Sequence, residues 1–134
     1  MNSNFHRNSF VFNQKIDSEF LYTLYEQDYG YMEKVFQMTA NQLDKDIPLL
    51  EQAFREDAID TLLRLLHKLK PTFGFVGLLK LQEVCHHLED RYQSAVSNQT
   101  LKTDPIDLLA ELLESPYIVY TELLRLSEFN KKRA

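Results

Sequence analysis

Residues 61–77 of the chain read Thr-Leu-Leu-Arg-Leu-Leu-His-Lys-Leu-Lys-Pro-Thr-Phe-Gly-Phe-Val-Gly, and they surround a histidine with the means for chemistry. On a helical wheel of ~100° per residue, Leu62, Leu65, Leu66, Leu69 and Phe73 fall in one apolar arc roughly 100–200° from His67. That arc is the expected core face, so His67 points into water. Arg64, Lys68 and Lys70 flank it at about 60°, 100° and 60°, Gly74 lies about 20° away and Leu63 about 40° away. An exposed imidazole is a nucleophile toward phosphorus that needs no cofactor. Cations beside it stabilise the oxygens of a phosphoryl group in flight. A glycine on the same face leaves room for a partner's active site to close over the ring. Leu63, Arg64 and Lys68 then form a small rim for docking. A merely solvated histidine is the plain alternative, and Gly74, standing where helices avoid glycine, argues against it.

Other residues offer less. His86 and His87 are adjacent, so on a helix they point about 100° apart and cannot jointly hold one metal. Glu83 and His86 have a carboxylate–histidine spacing that a di-metal bundle needs on two helices, and here it occurs once. Cys85 falls in an apolar stripe and reads as a buried small hydrophobe. As the single cysteine it excludes an internal disulfide and a cysteine-based zinc site. No metal and no cofactor is expected.

The elements that must position His67 follow from composition and periodicity. The chain has 134 residues, enough for one domain with a core of its own. Three glycines and four prolines, with abundant Leu, Glu, Gln and Lys, point to long helices with few connections. Residues 1–15 are read as a tail docked in part through Phe10, Val11 and Phe12, and residues 131–134 as a second tail. Between them, residues 16–130 form the folded domain. Asp17 or Ser18 caps a short helix with Phe20, Leu21 and Leu24, and Asp28-Tyr29-Gly30 breaks it. A long helix carries Val35, Met38, Leu43, Ile47, Leu50 and Phe54, with Pro48 expected to bend it. Asp57 marks the next start, and Pro71, Gly74 and Gly77 are expected to weaken that helix near its end. A further helix carries Leu81, Val84, Cys85, Leu88 and Tyr92, and residues 97–103 form the clearest loop. Asp104-Pro105 starts another helix, and Ser115-Pro116 either kinks it or splits it in two. The last helix ends near Phe129, with Lys131, Lys132 and Arg133 suiting its negative end. The expected architecture is all-α, an antiparallel four-helix bundle with a short additional N-terminal helix.

Net charge is −5, and an acidic chain without a basic run is no nucleic-acid binder. No apolar run reaches membrane-spanning length and no signal peptide opens the chain, so a soluble, cytoplasmic protein is expected.

The run from His67 to Leu78, followed by Leu81, Cys85 and Leu88-Glu89, resembles histidine-containing phosphotransfer (HPt) domains. In that family the phosphorylated histidine is followed by Lys at plus three, Gly at plus seven and often Gly-Leu at plus ten and eleven. Lys70, Gly74, Gly77 and Leu78 match these positions. Pro71 stands where the family more often has a small residue. The resemblance implies that His67 is the phosphoryl acceptor and that Lys70 positions or neutralises the phosphoryl group. It implies a stand-alone carrier in a multistep two-component phosphorelay, fed by a receiver-domain aspartyl-phosphate and emptied onto another receiver. The partners would be receiver domains of response regulators or hybrid sensor kinases, which bring their own Mg²⁺. With no glycine-rich nucleotide loop, the chain is expected to be a carrier without kinase activity. A non-catalytic helical-bundle adaptor is the rival reading, and retention of His67, Lys70 and Gly74 argues against it.

Overall fold

The computed structural model describes residues 9–98 and 106–133, and every regular element among them is a helix. These are α1 (Ser18–Leu24), α2 (Tyr29–Arg55), α3 (Ile59–Phe75), α4 (Leu79–Asn98), α5 (Ile106–Leu113) and α6 (Ser115–Arg133). α2, α3, α4 and the α5–α6 pair make an antiparallel four-helix bundle, and α1 lies against the end where α3 turns into α4. Of the two options at Ser115-Pro116, the split is the one observed. α4 is still helical at Asn98, inside the expected loop, while residues 99–105, with the Asp104-Pro105 start, lie outside the described residues.

Local hydrogen bonds explain the helix ends. Asp17 caps α1 by accepting the Phe20 N–H at 2.9 Å, and Asp28 caps α2 by accepting the Tyr31 N–H at 2.9 Å. Tyr29 and Gly30 are therefore helical, and the break expected at residues 28–30 falls earlier, at Glu26 and Gln27, both with positive φ. α3 ends in a Schellman motif. The Leu78 N–H donates to the Phe73 carbonyl at 3.0 Å, the Gly77 N–H to the Gly74 carbonyl at 3.1 Å, and Gly77 has φ +72°. A Cβ on Gly77 would stand 2.9 Å from Leu21 Cγ, so the close seat of α1 also requires this glycine.

α2 ends by the same pattern, with the Ala58 N–H donating to the Ala53 carbonyl and Asp57 in the left-handed position at φ +54°. Asp57 thus terminates α2, whereas the sequence suggested that it starts α3. Its short side chain tolerates a conformation most residues avoid.

Neither proline interrupts its helix. α2 runs through Pro48 and α3 runs through Pro71 to Phe75, so α3 keeps its form past His67. Each proline deprives the carbonyl four residues earlier of its donor, on Asp44 and on His67. Both are exposed residues, where water can supply the missing bond.

The leucine arc of α3 and the apolar stripe of α4 are buried as expected. On α2 the buried residues include Met32, Phe36, Ala40, Leu43, Ile47 and Leu50, whereas Met38 is 70% exposed, Val35 and Phe54 are half-buried, and Phe20 and Leu24 of α1 face water. Cys85 is fully buried, and burial pushes its thiol up to about 12.

Residues 10–16 pack on the bundle, and of the three residues expected to dock the N-terminal segment two do so. Phe10, Phe12 and Ile16 are buried, while Val11 is exposed. The Phe12 ring stacks on Phe36 at 5.1 Å, and Phe10 packs on Phe129 at 5.3 Å. The Asn13 N–H donates to the buried Glu122 carboxylate at 2.8 Å, and Arg125 binds both Glu122 and the Val11 carbonyl. At the other end α6 continues to Arg133, past the expected boundary at 130, and Asn130 donates to the Tyr29 carbonyl at 2.9 Å. No helix among the described residues is long and apolar enough to cross a membrane.

Phe12→Ala is expected to lower stability by about 3 kcal/mol, the usual loss for a buried phenylalanine. Urea unfolding should show a lower midpoint at an unchanged slope. A loss below about 1 kcal/mol would mean that Phe12 is not a working part of the core.

Candidate functional site

α3 presents its leucines to the core and His67 to the outside, so the His67 side chain is 77% exposed. It is nonetheless held. Its Nδ1 lies 3.2 Å from Glu89 Oε2 on α4. The other oxygen of the same carboxylate, Oε1, lies 2.6 Å from Lys70 Nζ. Glu89 is 8% exposed, so a nearly buried carboxylate sits between a ring nitrogen and an ammonium. A buried charge is tolerated only when paired and hydrogen-bonded, and here each oxygen has its own partner. The Cys85 thiol lies one turn before Glu89. After burial itself, the Glu89 charge is the next cause raising it, and Lys70 opposes that rise.

Gln82 sets this register from one end. It lies seven residues before Glu89, on the same face of α4. Its Nε2 donates to the Lys70 carbonyl at 2.9 Å. The amide passes directly over Gly74, where an added Cβ would stand 2.5 Å from Gln82 Nε2 and 3.2 Å from Cδ. The sequence reading gave Gly74 to a partner's access. In the folded chain the Gln82 amide occupies space beside it, so the glycine also leaves room for that side chain.

The flanking residues divide. Arg64 is exposed and Leu63 is half-buried against the core, less open than the wheel suggested. Lys68 does not stand free. Its Nζ lies 3.3 Å from Oδ1 of Asp46, a buried residue of α2 that also accepts from Gln42 at 3.0 Å. Lys68 thus ties α3 to α2, while Lys70 ties it to α4.

Sequence reasoning singled out His67 and Lys70, and it named Glu89 within the family signature without seeing that its carboxylate joins them. The signal for Glu89 is an acid inside the apolar stripe of α4, four residues after Cys85 and three before Tyr92, where a leucine would be expected. Asp46, three residues after Leu43, carries the same signal on α2. His86 lies across α4 from the core and pairs with Asp90 at 3.6 Å, His87 is exposed, and no group of metal-binding side chains occurs among the described residues.

The arrangement can do one kind of chemistry well. A carboxylate only accepts hydrogen bonds, so it favours a proton on the ring nitrogen facing it, and in the neutral ring that arrangement leaves the lone pair on Nε2. An exposed imidazole oriented in this way, with an ammonium one turn away, turns Nε2 toward an electrophile delivered from outside. The family model for the Hpt domain matches residues 34–115, a span containing His67, Lys70, Gly74, Gln82 and Glu89. No curated protein and no solved structure matches the chain.

Gly74 and Gln82 should be coupled. Gly74→Ala alone should leave stability unchanged or lower it, because the helix gain of about 1 kcal/mol is offset by displacing the Gln82 amide. In a Gln82→Ala background the same change should stabilise by about 0.5–1 kcal/mol. Equal effects of Gly74→Ala in both backgrounds, measured by thermal or urea unfolding, would refute the packing role.

Proposed function

The chain belongs to the Hpt domain family, whose members carry phosphoryl groups on histidine in two-component phosphorelays, and from that premise we propose that His67 is the phosphoryl acceptor and that Nε2 is the atom phosphorylated. The observation that carries this reading is the contact of the exposed ring with Glu89 through Nδ1. That contact leaves Nε2 as the free nucleophile. The donor is an aspartyl-phosphate on a receiver domain. The Nε2 lone pair forms the N–P bond as the acyl-phosphate P–O bond breaks, and the electron pair returns to the receiver's carboxylate. Passing the group to a second receiver reverses these events with a different aspartate.

Lys70 is one turn from His67, within reach of a phosphoryl group on the ring. Its ammonium offsets charge on the phosphoryl oxygens while Glu89 holds the lysine in place. Receiver domains supply the other half of the active site, including Mg²⁺. The chain's three glycines lie in α2, in α3 and at the end of α3, so its sequence offers no glycine-rich loop for a nucleotide. This supports a carrier that does not phosphorylate itself. Arg64 and Leu63 flank the ring and support docking, whereas the pairing of Lys68 with Asp46 assigns it first to the fold.

His67→Gln should abolish uptake from a phosphorylated receiver while stability stays within about 0.5 kcal/mol, as at other exposed positions. Equal labelling of variant and parent would end the assignment. The lysines should separate. Lys70→Ala should slow single-turnover transfer by about tenfold to a hundredfold, the loss of one electrostatic contact in the transition state. Lys68→Ala should register mainly in stability, by about 1–2 kcal/mol, because it strips a buried carboxylate of its cation. The opposite pattern in stopped-flow transfer and urea unfolding would show that the two roles are exchanged.

A further inference from the structure

We propose that α6 is a homodimer surface, on which a second copy of this chain packs antiparallel and leaves both His67 rings open. The inference does not rest on the phosphotransfer reading, and each can fail without the other.

α6 carries two apolar faces. Ile118, Val119, Leu123 and Leu126 are buried in the bundle. Tyr117, Tyr120 and Leu124 are 75%, 55% and 53% exposed. At ~100° per residue these three lie within about 60° of one another, so they form a stripe on the wet side of the helix. A lone exposed apolar residue needs no explanation, whereas a contiguous patch marks an interaction surface. Apolar residues at steps of three and four are also the spacing of a helix–helix seam.

The surroundings of the stripe fit a second copy. On its C-terminal side is a shallow hollow of about 690 Å³, with Val11, Leu124, Glu128 and Phe129 in its walls. On its N-terminal side stands Tyr117, the most exposed of the three. A two-fold axis near Leu123, perpendicular to α6, exchanges the two regions, because Tyr117 and Phe129 are each six residues from Leu123. The Tyr117 ring of each copy then enters the hollow of the other, and its hydroxyl can reach the Glu128 carboxylate at the rim. Projection and hollow lie on one face of one chain, which is the self-complementarity that a closed two-fold contact requires.

Charge favours the same direction. The Glu114 carbonyl accepts the Ile118 N–H in the first turn of α6, and Lys131, Lys132 and Arg133 lie in its last turn. A parallel pair would set cations against cations. The antiparallel pair sets Glu114 of one copy beside Lys132 of the other, each nine residues from Leu123. The present partner of Glu114 is Lys15 at 3.4 Å, an exposed pair of small worth that leaves the carboxylate able to take a second cation. α6 packs on α2 and α5, whereas α3 packs on α2 and α4, so the stripe lies at the corner of the bundle diagonal to α3. The dimer therefore covers neither His67.

The test is sedimentation equilibrium of the full chain, parent and variants, over a series of concentrations. The parent mass should rise from 15.9 kDa toward twice that value, with a dissociation constant of about 10–100 µM, as for an interface at the small end of the range. Leu124→Lys and Tyr117→Ser, both at exposed positions, should each weaken pairing by about tenfold or more with the urea midpoint unchanged. If Leu124→Lys lowers that midpoint, Tyr117→Ser carries the comparison. Glu114→Lys should weaken pairing by about threefold to tenfold, since the change acts at two symmetry-related contacts. Adding Lys132→Glu to it should restore pairing to within about twofold of the parent. A parent that stays at 15.9 kDa throughout would overturn the proposal. A dimer that both stripe variants leave intact uses another face and would also overturn it. So would a charge exchange that restores nothing, because the antiparallel arrangement would then be wrong.

Discussion

A carboxylate taken out of water must be paid for by partners, and the Glu89 carboxylate dictates much of the rest. Its two oxygens take Lys70 and the Nδ1 of His67, three residues apart on the neighbouring helix. Both contacts exist only if α3 and α4 approach closely and in one register. Gly74 leaves room for the Gln82 amide, that amide bonds the Lys70 carbonyl across the two helices, and the Schellman turn at Gly77 reverses the chain tightly enough for α4 to begin beside α3. The site is thus a consequence of one helix–helix seam, with the reactive ring at its solvent edge.

The same device recurs in the bundle. Asp46 of α2, Glu89 of α4 and Glu122 of α6 are buried acids, and each has a cation within salt-bridge distance, Lys68, Lys70 and Arg125 respectively. Two of the three hold α3, from opposite sides. Apolar packing alone allows a helix to rotate or slide at little loss, because one leucine resembles another. A buried acid with a matching cation is more selective, so the two pairs add to the leucine arc, which already turns His67 outward, in holding α3 in place.

Much of this was legible in the sequence, because hydrophobic periodicity reports which face of a helix is wet. The outward direction of His67 and the inward direction of Leu62, Leu65, Leu66, Leu69 and Phe73 follow from it directly. What periodicity cannot report is which helix lies opposite which residue. Glu89 was therefore named in the family signature without a partner, the Gln82 amide beside Gly74 was out of view, and Lys68 looked like a free cation. The helix ends were misjudged for a related reason. Asp57 is a common cap residue, yet here its backbone adopts the left-handed conformation that ends α2, and only the bonding of Ala58 to Ala53 reveals it. Phe10 and Phe12 lie outside any periodic helix, so their burial depends on a groove that exists only once α2 and α6 have packed.

That groove bears on when the protein can finish folding. Asn13 bonds Glu122 across 109 positions of chain, and Val11 bonds Arg125 across 114. Neighbouring helices such as α2 with α3 and α3 with α4 can pair as soon as each is made, through short loops. The N-terminal segment has to wait for the last helix, because an acceptor on Glu122, a donor on Arg125 and part of its aromatic seat are supplied there. During synthesis residues 10–16 emerge before α6 and are therefore among the last parts of the bundle to find their place, and Phe10 and Phe12 stay exposed until α6 arrives. High local order in the middle of the chain and a long-range clasp between its ends give a folding order that runs from the centre outward.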